Sequence, residues 1–198
     1  MRWANRHLRC CRLLKGFDKC KLIYLLNGYV LSQSGVGKSS FLLKIHNEIE
    51  PNIDIAIFQD ARNFRGSIDL LSLLQEFVEV GLDKNIIDIP IPTARVSILD
   101  SIAKIDTVLE KTNSIGAIFV DQFESMFSRP ELYSDFLDLV LEIIHRCKNI
   151  VVCIARKNDQ PTTFDERDRI NLQRLRQISR SVELTDFLSK YKHGSFDG

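Results

Sequence analysis

The residues best suited to chemistry in this chain stand at positions 32–40, Ser-Gln-Ser-Gly-Val-Gly-Lys-Ser-Ser. Backbone N–H groups of a glycine-containing turn at a helix N-terminus attract an anion, a lysine binds the β- and γ-phosphates, and a hydroxyl binds Mg²⁺. The stretch therefore predicts a site for a nucleoside triphosphate, with Ser39 as a magnesium ligand. The expected phosphate-binding residues are Ser34, Gly35, Val36, Gly37, Lys38, Ser39 and Ser40.

One fixed position of this phosphate-binding pattern differs. The pattern G-x-x-x-x-G-K-[ST] has its first glycine where this chain has Ser32. We expect Lys38 to be an exposed loop lysine that contributes little to the core. The alternative is a Gly/Ser turn without a ligand. The context favours the site, because an apolar strand precedes the turn and a helix with one apolar face follows, carrying Leu42, Ile45 and Ile49.

A second candidate site follows the apolar residues 118–120. The sequence Asp-Gln-Phe-Glu at residues 121–124 places Asp121 at the end of a predicted strand. In a parallel sheet this position brings a carboxylate to the magnesium of a nucleotide, the arrangement called Walker B. Glu124 is the candidate for orienting the attacking water, because Gln122 stands where a glutamate is usual. Binding is therefore better supported than hydrolysis, and the alternative is a buried strand that ends in an acid at a turn.

A third candidate, Arg156, closes the apolar residues 150–155. A positive charge at this strand end can reach a γ-phosphate, and the alternative is a solvated turn. Residues 156–159, Arg-Lys-Asn-Asp, differ by one residue from the N-K-x-D motif that binds guanine. The missing residue is the selective asparagine, and no glycine stands three residues after Asp121. We therefore expect ATP to bind better than GTP.

Composition narrows the class of protein. The 198 residues are 44% hydrophobic and 27% charged, with a net charge of +1, as expected of a soluble α/β domain without a global attraction to nucleic acid or membrane. The five cysteines form no C-x-x-C pair, so the sequence suggests neither a zinc site nor a disulfide framework. The longest apolar run, residues 22–31, is too short to span a bilayer. We expect a cytoplasmic protein.

The first 21 residues are strongly basic. They carry seven Lys and Arg side chains and one acid, Asp18. We expect a solvated extension at residues 1–21, ahead of a core at residues 22–198. The alternative is a helix that binds nucleic acid or anionic lipid.

The elements that must position these residues alternate between strand and helix, which predicts an α/β fold with a parallel sheet. Apolar faces at helical spacing indicate one helix after the first strand, two between the second and third, and one after the third, whereas the chain turns charged at residues 165–176 after the fourth strand. Ser67 is a candidate N-cap. The predicted strands are residues 22–31, 53–58, 115–120, 150–154 and 182–184, and the predicted helix faces carry Leu70, Leu74 and Phe77; Ile98, Ile102, Ile105 and Leu109; and Leu132, Phe136, Leu139 and Ile143. A last helix is expected from residue 185.

Together these motifs resemble the STAND branch of the P-loop NTPases, which are relatives of the AAA+ ATPases. The resemblance rests on residues 32–40, on the Asp-Gln-Phe-Glu sequence and on Arg156, and it extends roughly over residues 22–191. It implies a three-layer fold with a mainly parallel five-stranded sheet of order 5-1-4-3-2. It also implies roles for single residues: Lys38 for phosphate, Ser39 and Asp121 for magnesium, Glu124 for catalysis and Arg156 as the γ-phosphate sensor.

The chain departs from this family at Ser32 and at its C-terminal end, where we expect the helical lid to be missing or truncated. The resulting prediction is a nucleotide-dependent switch that binds ATP and Mg²⁺, hydrolyses slowly or conditionally, and works through a protein partner or self-assembly. Two alternatives remain. One is an AAA+-like helper ATPase that contacts DNA through residues 1–21. The other is a truncated, non-catalytic interaction module.

Overall fold

The computed structural model describes residues 28–32, 37–49, 53–66, 68–93, 98–157, 166–178 and 180–183. The expected basic extension, the Ser67 cap and the helix from residue 185 lie outside them. The described strands are β1 (Gly28–Ser32), β2 (Ile55–Asp60), β3 (Gly116–Asp121), β4 (Ile150–Lys157) and β5 (Arg180–Glu183). The described helices are α1 (Lys38–Ile49), α2 (Ile68–Asp83), α3 (Ile98–Lys111), α4 (Pro130–Arg146) and α5 (Glu166–Ile178), and short 3-10 helices span Ala61–Asn63 and Phe123–Ser128.

The five strands form one sheet in the order β2-β3-β4-β1-β5, and every neighbouring pair is parallel. Strands inside a parallel sheet are covered on both faces and therefore read as continuous apolar runs. All six residues of β3 are buried. The expected α/β class with a parallel sheet is confirmed.

Helices cover both faces of the sheet. Alternate side chains of β3 point to opposite faces, so Ala117 and Phe119 join one apolar cluster while Ile118 and Val120 join the other. The first cluster includes Phe41 and Leu42 of α1, and the second is built with α2, α3 and α4. The described residues thus form three layers: α1 covers one face of the sheet, and α2, α3 and α4 cover the other.

One close contact fixes the distance between α2 and the sheet. Gly116 begins β3, and a Cβ at this position would lie 2.1 Å from Cζ of Phe77 in α2. The ring of Phe77 therefore rests directly on the backbone of β3. The N-terminus of α2 is held by Asp69, whose carboxylate accepts from the backbone N–H groups of Arg65 and Gly66 at 2.5 and 2.8 Å.

The predicted apolar faces of α3 and α4 are confirmed, since all eight of their named residues are buried. Two predictions need correction. β2, β3 and β4 run to Asp60, Asp121 and Lys157, beyond the predicted ends, because parallel pairing continues through the polar residues that follow each apolar run. The charged region after residue 165 forms helix α5, where only Asn171, Leu172 and Leu175 are buried among residues of described exposure. Among the described residues, no helix has the length and apolarity needed to cross a membrane.

Candidate nucleotide-binding site

The predicted site residues lie at one edge of the sheet. β1 ends at Ser32, β3 at Asp121 and β4 at Lys157, and in parallel sheets these carboxyl ends form the edge where ligands bind. β4 separates β1 from β3. At a spacing of about 4.8 Å between strands, the end of β3 lies roughly 10 Å from the end of β1.

The described end of the turn from β1 into α1 has a backbone conformation that favours glycine. Gly37 has φ +87°, a value that residues with a Cβ rarely adopt, and its surroundings are open. The first helical hydrogen bond runs from Phe41 N to Gly37 O at 2.9 Å. Residues 34–36, also expected to bind phosphate, lie outside the described part of the chain.

Lys38 is buried, which corrects the expectation of an exposed loop lysine. It is the first residue of α1 and is 7% exposed. It is buried because α1 lies flat against the sheet, with Phe41 and Leu42 packed into the core. Ser39 is half-buried and Ser40 is exposed. The lysine therefore sits at the N-terminal end of a helix, where the helix dipole favours an anion.

Gln122 connects the two expected magnesium ligands. Its side-chain Nε2 donates to Oγ of Ser39 at 3.1 Å, and its backbone N–H donates to Oδ1 of Asp121 at 2.8 Å. Asp121 is 5% exposed at the end of β3. The structure thus brings Ser39 and Asp121 into one hydrogen-bonded group. The sequence indicated Gln122 only as a substitute for glutamate, and its contact with Ser39 was missed.

A second aspartate ends the neighbouring strand. Asp60 of β2 pairs in register with Asp121, and its carboxylate binds the guanidinium of Arg62 through Nε at 2.9 and 3.0 Å. The hydrogen bond from Arg62 lowers the pKa of Asp60. The pKa of Arg62 is raised by the same bond, with smaller effects from the charges of Asp60 and Asp121. Asp60 lies just beyond the predicted strand 53–58, and the sequence did not connect it to the site because it does not specify the register between β2 and β3.

Arg129 ties together the turns that follow β2 and β3. Its Nη2 donates to Ala61 O at 3.3 Å and to Ser125 O at 3.0 Å. These carbonyls belong to the 3-10 helices Ala61–Asn63 and Phe123–Ser128. The two turns beside the site are therefore held as one unit.

Glu124 and Arg156, the expected catalytic residues, lie near this edge. Glu124 is half-buried in the 3-10 helix Phe123–Ser128, two residues beyond Gln122. Arg156 lies in β4, where its backbone pairs with Leu31 of β1. Its side chain lies outside the described atoms.

Ser39 and Asp121 suit magnesium. Mg²⁺ keeps several waters and is usually held by one or two carboxylates together with substrate phosphates, rather than by an all-protein cage. In the described ranges no group of three or more His, Cys, Asp or Glu side chains could hold a metal ion. Ser39 and Asp121 offer one hydroxyl and one carboxylate beside the N-terminal end of α1. Such a partial set of ligands fits an Mg²⁺ ion that is also bound by phosphates.

The described cysteines lie away from this edge. Cys147 and Cys153 are buried free thiols, and burial raises the pKa of each to about 12. A thiol with so high a pKa stays protonated and unreactive at neutral pH. These two residues therefore serve packing.

Solved structures of other proteins share the fold of this chain. No family model and no curated protein matches the sequence. Among solved structures, the Aeropyrum pernix ORC2 protein in its ADPNP-ADP complexes matches with a TM-score of 0.58 and 13% identity, covering 91% of this chain and 47% of that one. Drosophila ORC bound to AT-rich DNA and Cdc6 matches with a TM-score of 0.54 and 11% identity, over 92% and 59% of the two chains.

AMPPCP-bound DnaA from Aquifex aeolicus matches with a TM-score of 0.51 and 12% identity, over 92% of this chain and 46% of that one. The chain thus spans about half the length of these proteins. At such identities the likeness concerns the fold. The described residues have the fold of the matching parts of these ORC and DnaA structures.

Proposed function

We propose that this protein is an ATP-binding P-loop NTPase domain that acts as a nucleotide-dependent switch with slow or conditional hydrolysis. One observation carries the proposal: Lys38 is buried at the start of α1, and the neighbouring Ser39 is joined through Gln122 to Asp121. The fold supports it, since structures of similar fold were solved with ADPNP and ADP or with AMPPCP.

Each proposed residue has a defined role. The backbone of residues 34–37 and the side chains of Lys38 and Ser40 bind the phosphates, and Ser39 and Asp121 hold Mg²⁺. The ion neutralises charge on the phosphates when it is bound. Hydrogen bonds to charged groups are worth about 1.5–3 kcal/mol each, so Lys38 and the loop amides dominate the affinity.

Hydrolysis is the weaker function because the chain has few groups that activate water. Gln122 stands where a glutamate is usual, and an amide takes up no proton at neutral pH. Glu124 is the proposed residue that orients water for in-line attack, and Arg156 is the proposed partner of the γ-phosphate. A neighbouring subunit or protein partner would supply further positive charge.

The sheet order, counted from the β5 edge, reads 5-1-4-3-2, which agrees with a P-loop NTPase of the STAND type. The STAND assignment itself rests on the Asp-Gln-Phe-Glu sequence at residues 121–124. We propose residues 22–198 as the core and, from the cysteine pattern, the cytoplasm as its location.

A second candidate function is ATP-dependent action on DNA. Two similar structures were solved with DNA, Drosophila ORC bound to AT-rich DNA and the Aeropyrum pernix ORC1 protein, the latter with a TM-score of 0.50. The seven basic residues among positions 1–21 would supply the contacts with phosphate. The third candidate, a non-catalytic interaction module, requires that nucleotide does not bind.

Calorimetric titration with ATP and GTP tests the proposal. We expect binding of ATP with Mg²⁺, at least tenfold or about 1.4 kcal/mol stronger than binding of GTP. Lys38→Met, which keeps the aliphatic stem of this buried residue, should abolish the binding. Lys44→Met on the same helix is the control, because Lys44 is exposed. Equal ATP affinity in wild type and Lys38→Met would contradict the phosphate-loop assignment, and preference for GTP would contradict the choice of nucleotide.

A further inference from the structure

Gln122 has an unfavourable backbone conformation. Its φ of 54° and ψ of 36° lie in the left-handed region, which costs a residue with a Cβ roughly 1–2 kcal/mol. Glycine, asparagine and aspartate adopt this region more readily than glutamine. Strain of this kind persists where the surroundings hold it, and such positions cluster at functional sites.

The side chain reaches across the site. Ser39 belongs to the first turn of α1 and Asp121 to the end of β3, so the two expected magnesium ligands come from separate elements. Gln122 touches both, through Nε2 to Ser39 and through its backbone N–H to Asp121. A serine hydroxyl rotates unless a hydrogen-bond partner fixes it. When Gln122 donates to one lone pair of Ser39 Oγ, the other lone pair is left to bind a metal ion.

We propose that Gln122 is a positioning residue that holds the Ser39 hydroxyl at a fixed position relative to the Asp121 carboxylate. It thereby couples magnesium binding to nucleotide binding. The inference rests on the proposed function of this site. It gives the residue at the usual glutamate position a different role, because the amide orders two metal ligands and takes no proton from water. The site is thus arranged for a magnesium-dependent bound state more than for turnover.

The coupling is measured as the ratio of two dissociation constants for ATP, one in excess EDTA and one in excess Mg²⁺. Gln122→Asn is the decisive variant, because asparagine keeps the amide and tolerates the left-handed region but is one methylene too short to reach Ser39. Gln122→Gly removes the side chain and the backbone strain together. Both variants keep the backbone N–H that bonds Asp121.

We expect both variants to lower the coupling ratio about fivefold, the effect of losing one hydrogen bond of average strength. The dissociation constant in EDTA should stay within about twofold of the wild-type value, since Ser39 is needed there only as a backbone donor. Thermal unfolding without ligand should change little in either variant, because relief of the left-handed strain offsets the lost hydrogen bond to Ser39.

An unchanged ratio in Gln122→Asn would overturn the inference while leaving nucleotide binding intact. Equal weakening in EDTA and in Mg²⁺ would also overturn it, because that result assigns Gln122 a merely structural role. If the wild-type chain binds ATP in neither condition, the proposed function fails and the inference fails with it. The wild-type measurement therefore separates the two failures.

Discussion

At the scale of single residues, the buried Lys38 changes how the site should be tested. A charged amine taken out of water is costly unless it meets compensating groups, so replacing a 7% exposed lysine affects the fold as well as the proposed ligand binding. Truncation to alanine would remove its packing together with its charge. Variants that keep the aliphatic stem separate the two effects.

Glu124 is expected to orient the attacking water. Single-turnover hydrolysis of ATP by wild-type protein should be slower than the roughly 1–100 s⁻¹ typical of kinases, and Glu124→Gln should reduce it by about a further 10²-fold or more. Glu131→Gln, at an exposed glutamate in the first turn of α4, should leave the rate unchanged. Equal rates in wild type and Glu124→Gln would remove Glu124 from the mechanism.

The ion pair between Asp60 and Arg62 predicts a pH dependence of stability. Arg62 lowers the pKa of Asp60 below 3.8, so the pair stabilises the folded state fully above that pH and loses its effect as the pH falls through the lowered pKa. Asp60→Asn, which keeps a capping side chain, should cost a small amount of stability at pH 7, as exposed ion pairs do. The difference between the urea midpoints of wild type and variant should shrink as the pH falls through the lowered pKa of Asp60. A difference that persists below that pKa would assign the effect to packing.

Much of the site was predictable at this scale and some of it was not. Lys38, Ser39 and Asp121 belong to local sequence motifs that predict their chemistry without a structure. The bond from Gln122 to Ser39 joins residues 83 positions apart and depends on how β3 meets α1. The pairing of Asp60 with Asp121 depends on strand register, which no local pattern specifies.

At the scale of elements, periodicity predicted the helices that bury one face. α3 and α4 present apolar residues at a spacing close to 3.6 and were found. α5 was missed because its sequence, Glu-Arg-Asp-Arg-Ile-Asn-Leu-Gln-Arg-Leu-Arg-Gln-Ile, carries few apolar residues between charges. It forms where it packs on α4, with Asp138 accepting from Arg167 at 2.6 Å and from Asn171 at 2.9 Å. The tertiary contact with α4 therefore stabilises α5, and a local sequence pattern does not predict such a contact.

The contact between α2 and β3 gives a prediction at this scale. Gly116→Ala should destabilise the protein by about 1–3 kcal/mol, because its Cβ would meet the ring of Phe77 at 2.1 Å and either the ring or the strand must shift. Gly66→Ala is the matched control, since no atom lies within 4 Å of its Cβ. Urea unfolding of both variants measures the difference. Equal midpoints would show that α2 can move away from the sheet without cost.

At the scale of the whole molecule, the chain shares its fold with proteins roughly twice as long. The described residues include Lys38, Ser39 and Asp121 of the proposed nucleotide site, whereas the basic residues 1–21 are the candidate contact with another polyanion. Partner and nucleotide would then occupy separate parts of the chain. This separation is testable by truncation.

Removal of residues 1–21 should leave the ATP dissociation constant unchanged and lower the affinity for DNA. If these side chains bind phosphates, the slope of log affinity against log salt should flatten by roughly 0.7–0.9 for each phosphate that the truncated chain no longer neutralises. Fluorescence anisotropy with single- and double-stranded DNA at several salt concentrations measures both quantities. Absence of DNA binding by the intact chain at low salt would leave the helper-ATPase candidate without its main support.

The position of β1 in the sheet has a consequence for the order of folding. β1 lies between β4 and β5, the last two strands described, while β2 and β3 pair with each other. During synthesis β2 and β3 can meet first, whereas β1 must wait for residues 150–157 to leave the ribosome. Closing so long a loop before any contact forms is slow. The turn proposed to bind phosphate is thus translated early and assembled late, so under the proposed function we expect a nascent chain to bind nucleotide only after β4 has emerged.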